Sequence, residues 1–412
     1  MTTDAKRHIL VITDPPVAPG YLPRVRFLCD FLVQNGFAVT LLTEQGQPLD
    51  FAHTYPIETI PMYSGNSFDW FIKTVWTLLT DWHNRVFAKK SLQLSAISHQ
   101  SWDFVLCSAF SDFPLGAAQR IASKLNIPLV CDIRDLDEQV LNSRYQYHHR
   151  SAWLMPFRRL YRAVHIRRRN RVLRAANAVT TVSKWHADFI RNILTAKRSN
   201  GDNGLKAKRS MSDLAAVSII YNGFDDRQFY PEDIRTDRFT ITYIGNLFDW
   251  QKEALEKVQQ AIEEINRQFS IFKKSCLEGA KNFQFSINLH TPKSRPVAHD
   301  ALGDAIRQSS IMLVLTNTDT HGMLTTKFYE ALGCAKPVLC VPSDKGELTE
   351  LISHTNAGIA TGDTEQIKTF ILAKYKEWQD FGFTRQPVVH REEFSRTKQC
   401  EQLINILNTI FK

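Results

Sequence analysis

Short apolar runs separated by loops and by stretches with apolar residues three and four apart recur along the whole chain. Residues 8–13 (HILVIT) are one such run. A proline-rich loop follows at 14–23, then a helix-period segment over 24–34 closed by Asn35-Gly36, then a second run at 38–43. Continuous apolar runs alternating with helical periodicity predict buried parallel strands with helices packed on both sheet faces. The pattern continues with strands at 102–108 and 127–133 around a helix at 115–125, and with further strands at 177–182 and 215–219. After a linker at 229–233 the cycle restarts: strand 239–244, a turn at Gly245-Asn246, helix 252–268, strands at 283–289 and 311–315, and a terminal amphipathic helix over 392–411. The expected architecture is α/β, with two Rossmann-like domains facing a cleft. The boundaries fall at 1–228 for the first domain and 229–391 for the second, with 392–412 a helix packing back on the first. At 412 residues both domains can bury a core.

Residues 321–339 (HGMLTTKFYEALGCAKPVL) hold the densest chemistry. Thr325 and Thr326 are good helix caps, no breaker interrupts the next six residues, and Lys336-Pro337 ends the helix before another buried strand. The helix therefore begins at the carboxyl end of strand 311–315, where doubly wound sheets bind ligands and where a helix dipole favours phosphate. Offsets of three and four place Thr326, Lys327 and Glu330 on one face. Two hydroxyls, an ammonium and a carboxylate suit a nucleoside diphosphate, with Lys327 on the diphosphate and Glu330 on the ribose. The same spacing also fits a solvated Lys–Glu pair. Gly245 lets backbone approach a ligand, and Lys252 opens the next helix, where its ammonium is placed to meet the same phosphates.

The first domain offers a different set. Its opening loop has Gly20 as its only glycine, which disfavours a dinucleotide cofactor. Gly20 and Arg24 would line one wall of a cleft. Arg134 and Asp135 follow Asp132 at the end of a buried strand and are acceptor-side candidates; a capping acid paired to an arginine fits them equally well. The seven cysteines are scattered through apolar runs without a close ligand pair and read as buried free thiols in a reducing compartment. No apolar stretch reaches transmembrane length, so a cytoplasmic protein is expected.

Net charge is +9, but its distribution matters more. Between residues 144 and 209 seventeen Lys and Arg face only Asp188 and Asp202. Within that block, a long helix over 151–176 interleaves Arg158, Arg162, Arg167, Arg168 and Arg171 with apolar residues. One further amphipathic helix, over 68–87, carries Phe71, Val75, Leu78, Leu79, Trp82 and Val86 at helical spacing, widened by Trp70 and Trp76. Together they suggest an anionic membrane surface as a partner, with the protein peripheral on the inner face of the cell membrane. Nucleic acid is disfavoured because no recognition motif accompanies the charge. Residues 197–213 read as a flexible insertion.

Four segments in this order resemble the GT-B glycosyltransferases, specifically the retaining family-four enzymes of bacterial surface-polysaccharide synthesis. They are ANAVTTVSKW (176–185), YNGFD (221–225), YIGNL (243–247) with Lys252, and TTKFYEALGCAKPV (325–338). The resemblance implies transfer of a sugar from a nucleoside diphosphate sugar to an acceptor. It implies retention by front-face attack with help from the leaving phosphate, and a site that uses no metal and no cofactor. It implies donor contacts from Lys252, from amides near Thr325 and Thr326, and from Glu330; Gly245, Asn246, His321, Gly322 and Lys327 complete the donor-side candidates, with Lys252, Lys327 and Asp135 the candidates for carrying the chemistry. The acceptor would be a saccharide or a lipid-linked one. The chain departs from the family pattern at Gly322, where a glutamate is usual, and at Asn246, where an arginine is common. His321 to Glu330 is similar to a "GxLTxKxxE" variant of some bacterial relatives. A nucleotide-sugar epimerase and a degenerate, non-catalytic adaptor are the rival readings.

Overall fold

The computed structural model describes residues 7–14, 23–46, 52–63, 67–94, 97, 99–139, 155–196, 216–276, 285–318 and 321–410. The expected insertion at 197–213 and the candidate Gly20 lie outside them. The chain divides into two units, one of residues 1–138, 149–221 and 400–412 and the other of residues 139–148 and 222–399.

In the first unit seven parallel strands run in the order β3-β2-β1-β4-β5-β6-β7, namely β1 His8–Thr13, β2 Ala38–Glu44, β3 Ile57–Ile60, β4 Phe104–Ala109, β5 Leu129–Ile133, β6 Ala178–Thr181 and β7 Ala216–Ile219. Strands β4, β5 and β6 bury every residue and β1 all but His8, and alternate side chains feed two cores. Leu10, Ile12, Val105 and Cys107 enter one; Ile9, Val11, Phe104 and Leu106 enter the other. This is why the strands read as unbroken apolar runs, since neither face meets water. Cys400, Leu403 and Leu407 of the last helix, Arg396–Ile410, complete the second core, so the C-terminal segment covers one face of this sheet.

In the second unit five parallel strands run β12-β11-β10-β8-β9, with β8 Ile241–Ile244, β9 Ile287–His290, β10 Ile311–Leu315, β11 Val338–Val341 and β12 Gly358–Ala360. Helices Lys252–Cys276 and Thr364–Phe381 pack on one face through Val258, Ile262, Ile367 and Ile371 against Ile241, Leu313 and Leu339.

Both sheets are doubly wound, as expected. One element differs: the single helix expected over 68–87 is two, Ser67–Thr80 and Trp82–Ser91, broken at Asp81 in the left-handed region at φ 59°. The Asp81 carboxylate is tied to Asn84 Nδ2 at 2.8 Å and to Arg120 at 2.8 Å, which holds the break. Cys29, Cys107, Cys131, Cys334, Cys340 and Cys400 are buried free thiols. Among the described residues no helix is long and apolar enough to cross a membrane.

Candidate functional site

In the second sheet β8 and β10 are neighbours although β9 lies between them in sequence. Loops leaving their carboxyl ends diverge there, the switch point where open α/β sheets bind ligands. The loop from β8 is the Gly245 turn; the loop from β10 leads into helix Thr326–Gly333, capped by the Thr325 hydroxyl, which accepts from Lys327 N at 3.4 Å.

The two loops meet. Gly245, at φ +126°, is overlaid by the Lys327 side chain so closely that a Cβ there would stand 2.8 Å from Cε and 2.9 Å from Nζ. Only glycine suits both the backbone angle and the close approach. Lys327 Nζ also lies 5.3 Å from the ring centroid of Tyr243. The buried Tyr243 hydroxyl donates to the Asn246 carbonyl at 2.5 Å and lies 3.2 Å from Gln251 Oε1. Gln251 in turn accepts from Phe248 N at 3.0 Å and donates to the Leu315 carbonyl at 3.0 Å. The glycine turn is thus fastened to the end of β10, and the lysine is presented by a fixed frame.

Charge at this point is unbalanced. Burial holds the Lys327 ammonium below the usual lysine range, and Glu330 offsets this only in part. No carboxylate oxygen lies within ion-pair distance of Nζ among the described residues. Glu330, one turn on, is half-buried; burial raises its carboxyl above the usual range against the pull of Lys327, Arg396 and a hydrogen bond from Thr326. Arg396 was not a sequence candidate. It is buried, and its backbone N–H donates to the Phe224 carbonyl at 2.8 Å. Only the fold brings it beside Glu330, 66 positions away in sequence.

Lys252 opens the helix that follows the Gly245 turn. Its side chain is 62% exposed and its ammonium pairs with Asp249 at 2.8 Å, which raises its pKa. Lys252 is expected to meet the same phosphates as Lys327; in this structure its ammonium lies with Asp249, in the turn of residues 249–251 just before it. Asn246 is exposed, and His321 and Gly322 are half-buried in the loop before the helix, Gly322 with φ +61°.

At the carboxyl ends of the first sheet the charges are paired. Asp132, fully buried at the end of β5, receives Arg24 Nη2 at 2.9 Å, Ser108 Oγ at 2.8 Å and Thr180 Oγ1 at 2.8 Å. Burial alone would raise its pKa, but Arg24 and these hydroxyls outweigh that and hold it below the ordinary value. Arg24 also donates to the carbonyls of Ile220 at 2.8 Å and Tyr221 at 2.9 Å, so it closes a structural network. Arg134 pairs with Asp14, and Asp135 is exposed beyond the strand. Two residues that sequence reading passed over meet here: buried Asp112 pairs with His165, whose ring lies 3.9 Å from that of Tyr161. They are 53 residues apart, and no spacing rule connects them.

Residues 20–200 match the family described as Glycosyl transferase 4-like domain. The match covers 181 of the 412 residues. Solved structures resemble the whole chain. The Anabaena Alr3699/HepE structure in complex with UDP and glucose is 14% identical with a TM-score of 0.53, covering 97% of this chain and 99% of that one. Alpha,alpha-trehalose 6-phosphate synthase from Burkholderia multivorans is 12% identical with a TM-score of 0.57, covering 98% and 97%. The lipopolysaccharide outer core galactosyltransferase WaaB is 11% identical with a TM-score of 0.51, covering 98% and 99%. At such identities the likeness establishes the fold, which is GT-B. No curated protein matches by sequence.

The arginine-rich helix of this matched segment spans Met155–Ala175 and is more structural than its composition suggested. Arg162 donates to the Asp137 carbonyl, and Arg168 donates to Thr77 O at 2.6 Å and Leu78 O at 2.8 Å. Arg169, 1% exposed, grips Glu138 at 2.9 and 2.6 Å. Arg162 and Arg168, half-buried and tied to these carbonyls, therefore do not belong to a free cationic surface, and Arg158 is half-buried as well. The outward row is Leu160, Ala163, Arg167 and Arg171, with Phe157 and Arg159 beside it. The neighbouring helix Ser67–Thr80 exposes Phe68, Phe71, Ile72, Trp76 and Leu79, the last at 72%.

Proposed function

We propose that the protein is a retaining glycosyltransferase that moves a sugar from a nucleoside diphosphate sugar to an acceptor. The observation that carries this reading is the Lys327 ammonium: it is half-buried at the switch point of the second sheet, held over Gly245 at a helix start, and has no carboxylate at ion-pair distance among the described residues. A shielded cation without a counter-ion is stabilised by an incoming anion, and a diphosphate supplies one. Lys327 and the helix dipole would stabilise the negative charge that develops on the leaving phosphate as the bond from the anomeric carbon to oxygen breaks. The acceptor hydroxyl attacks from the same face, and its proton passes to the departing phosphate oxygen. Glu330 accepts hydrogen bonds from the ribose hydroxyls. The solved HepE structures contain UDP and UDP-glucose, which makes uridine the first base to test.

The acceptor-side unit supports a lipid-linked acceptor at an anionic bilayer. Exposed Phe71, Trp76 and Leu79 offer apolar insertion, and Arg159, Arg167 and Arg171 offer attraction to headgroups. Flotation with vesicles of neutral and anionic lipid tests this: the wild type should float with anionic vesicles, and Trp76→Ser combined with Leu79→Ser should not. Equal flotation of both proteins would end the lipid reading.

The donor reading is tested by thermal shift against UDP, GDP, CDP and their sugars, because a ligand of the native state raises its melting temperature. One nucleoside diphosphate should stabilise the wild type and lose most of its effect in Glu330→Gln. A flat response across the panel would overturn it.

A further inference from the structure

On the surface of the second unit, two side chains of one turn converge with the side chain at a helix end. His354 is the last residue of helix Glu347–His354, His390 lies in the connection before the final helix, and Glu393 sits in the short turn Arg391–Phe394. One donor atom from each lies within 4.8 Å of the others. His390 Nδ1 is 3.0 Å from Glu393 Oε1, and His354 Nε2 is 3.6 Å from Glu393 Oε2. The two imidazoles stack with centroids 4.5 Å apart and planes 14° from parallel.

The frame under these side chains is built. Val389 N donates to Thr355 O at 2.9 Å, Asn356 Nδ2 to Pro387 O at 2.9 Å, and Gln399 Nε2 to Glu393 O at 2.6 Å, so each histidine sits next to a cross-link between its own segment and another. His390 holds φ 54°, a left-handed backbone few side chains adopt, and for both nitrogens to face one ion one ring would turn out of the stack, since a metal lies in the plane of each imidazole it binds. The side chains are about half exposed, at 48%, 51% and 56%, so a solute reaches them freely.

We propose that His354, His390 and Glu393 form a binding site for a divalent transition cation of the zinc class. Two neutral imidazole nitrogens and one carboxylate are the donor set that such ions favour, while magnesium and calcium prefer all-oxygen shells. Three protein ligands on an exposed surface leave further positions to water. The ion would link the end of helix Glu347–His354 to the segment that leads into the last helix, and its effect is on stability, independent of glycosyl transfer.

The full-length protein, stripped with a chelator, is titrated with zinc against a fluorescent competitor chelator and followed by thermal melting. One equivalent of zinc should bind and raise the melting temperature, and magnesium should do neither. His390→Asn is the principal variant, because asparagine tolerates the left-handed backbone but lacks the imidazole; His354→Gln and Glu393→Gln accompany it. The two histidine variants should bind zinc at least tenfold more weakly while melting like the wild type in chelator. Wild-type affinity in either histidine variant places the ion elsewhere and overturns the proposal, as does a wild type that takes up no stoichiometric zinc. If one variant melts early in chelator, the other two decide.

Discussion

The two sheets end in charged residues at corresponding places, yet the protein treats them oppositely. At the first sheet Arg24 answers Asp132, Arg134 answers Asp14 and His165 answers Asp112. At the second, Lys327 has a glycine and a tyrosine ring for neighbours, with Glu330 acting on it from a turn away. A charge at the carboxyl end of a parallel strand is therefore not yet a binding group. What separates a tie from a receptor is whether the chain supplies the counter-ion itself.

The strongest way to break this contrast is to open the closed end. Asp132→Ala strands the Arg24 guanidinium against two carbonyls and removes the acceptor for Ser108 and Thr180. Loss of one partner from a buried pair costs about 3–5 kcal/mol, which urea unfolding should register as a large fall in midpoint. Nucleotide affinity, measured at a temperature where the variant is still folded, should stay near wild type.

Lys327→Ala is the mirror experiment. Removing an ammonium that burial disfavours should leave unfolding free energy unchanged or slightly raised. Loss of one preorganised charge at the leaving phosphate should lower the transfer rate about 10²- to 10³-fold, equivalent to about 2.7–4 kcal/mol. A variant that unfolds easily yet still transfers sugar would place Lys327 among the structural ties.

Much of this arrangement was legible beforehand. The unbroken apolar runs identified buried parallel strands, and Thr325 marked the helix start because a hydroxyl before a breaker-free segment has one obvious use. What escaped was partner choice. Arginines at 162 and 168 count as surface charge in a composition, but their acceptors are backbone carbonyls of Asp137, Thr77 and Leu78, invisible until the chain folds. The break at Asp81 was hidden because the apolar stripe continues in helical phase across it. Arg396 and the Asp112–His165 pair join distant segments, which no local window contains. β3 and β12 are short edge strands whose partial exposure gives no clear period.

A second lysine in the same segment sharpens the contrast from within one unit. Lys336 is 2% exposed and donates to the Thr384 carbonyl at 3.1 Å. Burial pushes its pKa down to about 8 from an ordinary 10.5. Between those values the unfolded chain holds the extra proton, so this group makes stability rise with pH across pH 8 to 10.5, and its penalty is complete below pH 8. Any advantage of Lys336→Met over the wild type should be greatest at pH 7 and shrink by pH 10, by at most about 3 kcal/mol. Because other buried groups titrate in the same window, the quantity to follow is the difference between the two proteins. A difference independent of pH would show that Lys336 is not strained by its burial.

The smallest effect belongs to Lys252, and it is the most discriminating of the set. The resemblance to family-four enzymes assigns it to the donor diphosphate, whereas here its exposed ammonium rests on Asp249. Exposed ion pairs contribute little to stability, so Lys252→Ala should melt like the wild type. If the lysine stays with Asp249 when donor binds, affinity for the nucleoside diphosphate should fall less than about tenfold, far short of Lys327→Ala. A loss as large as that of Lys327→Ala would mean that Lys252 leaves Asp249 for the phosphates, a ligand-dependent rearrangement that needs differential affinity for the two states. Asp249→Asn separates these outcomes. Freed from its partner, a lysine that binds donor should tighten affinity, and one that does not should leave it unchanged. The ion pair at Asp249 would then be either the resting place of a mobile phosphate ligand or, like Arg24 with Asp132, a charge the protein has already answered.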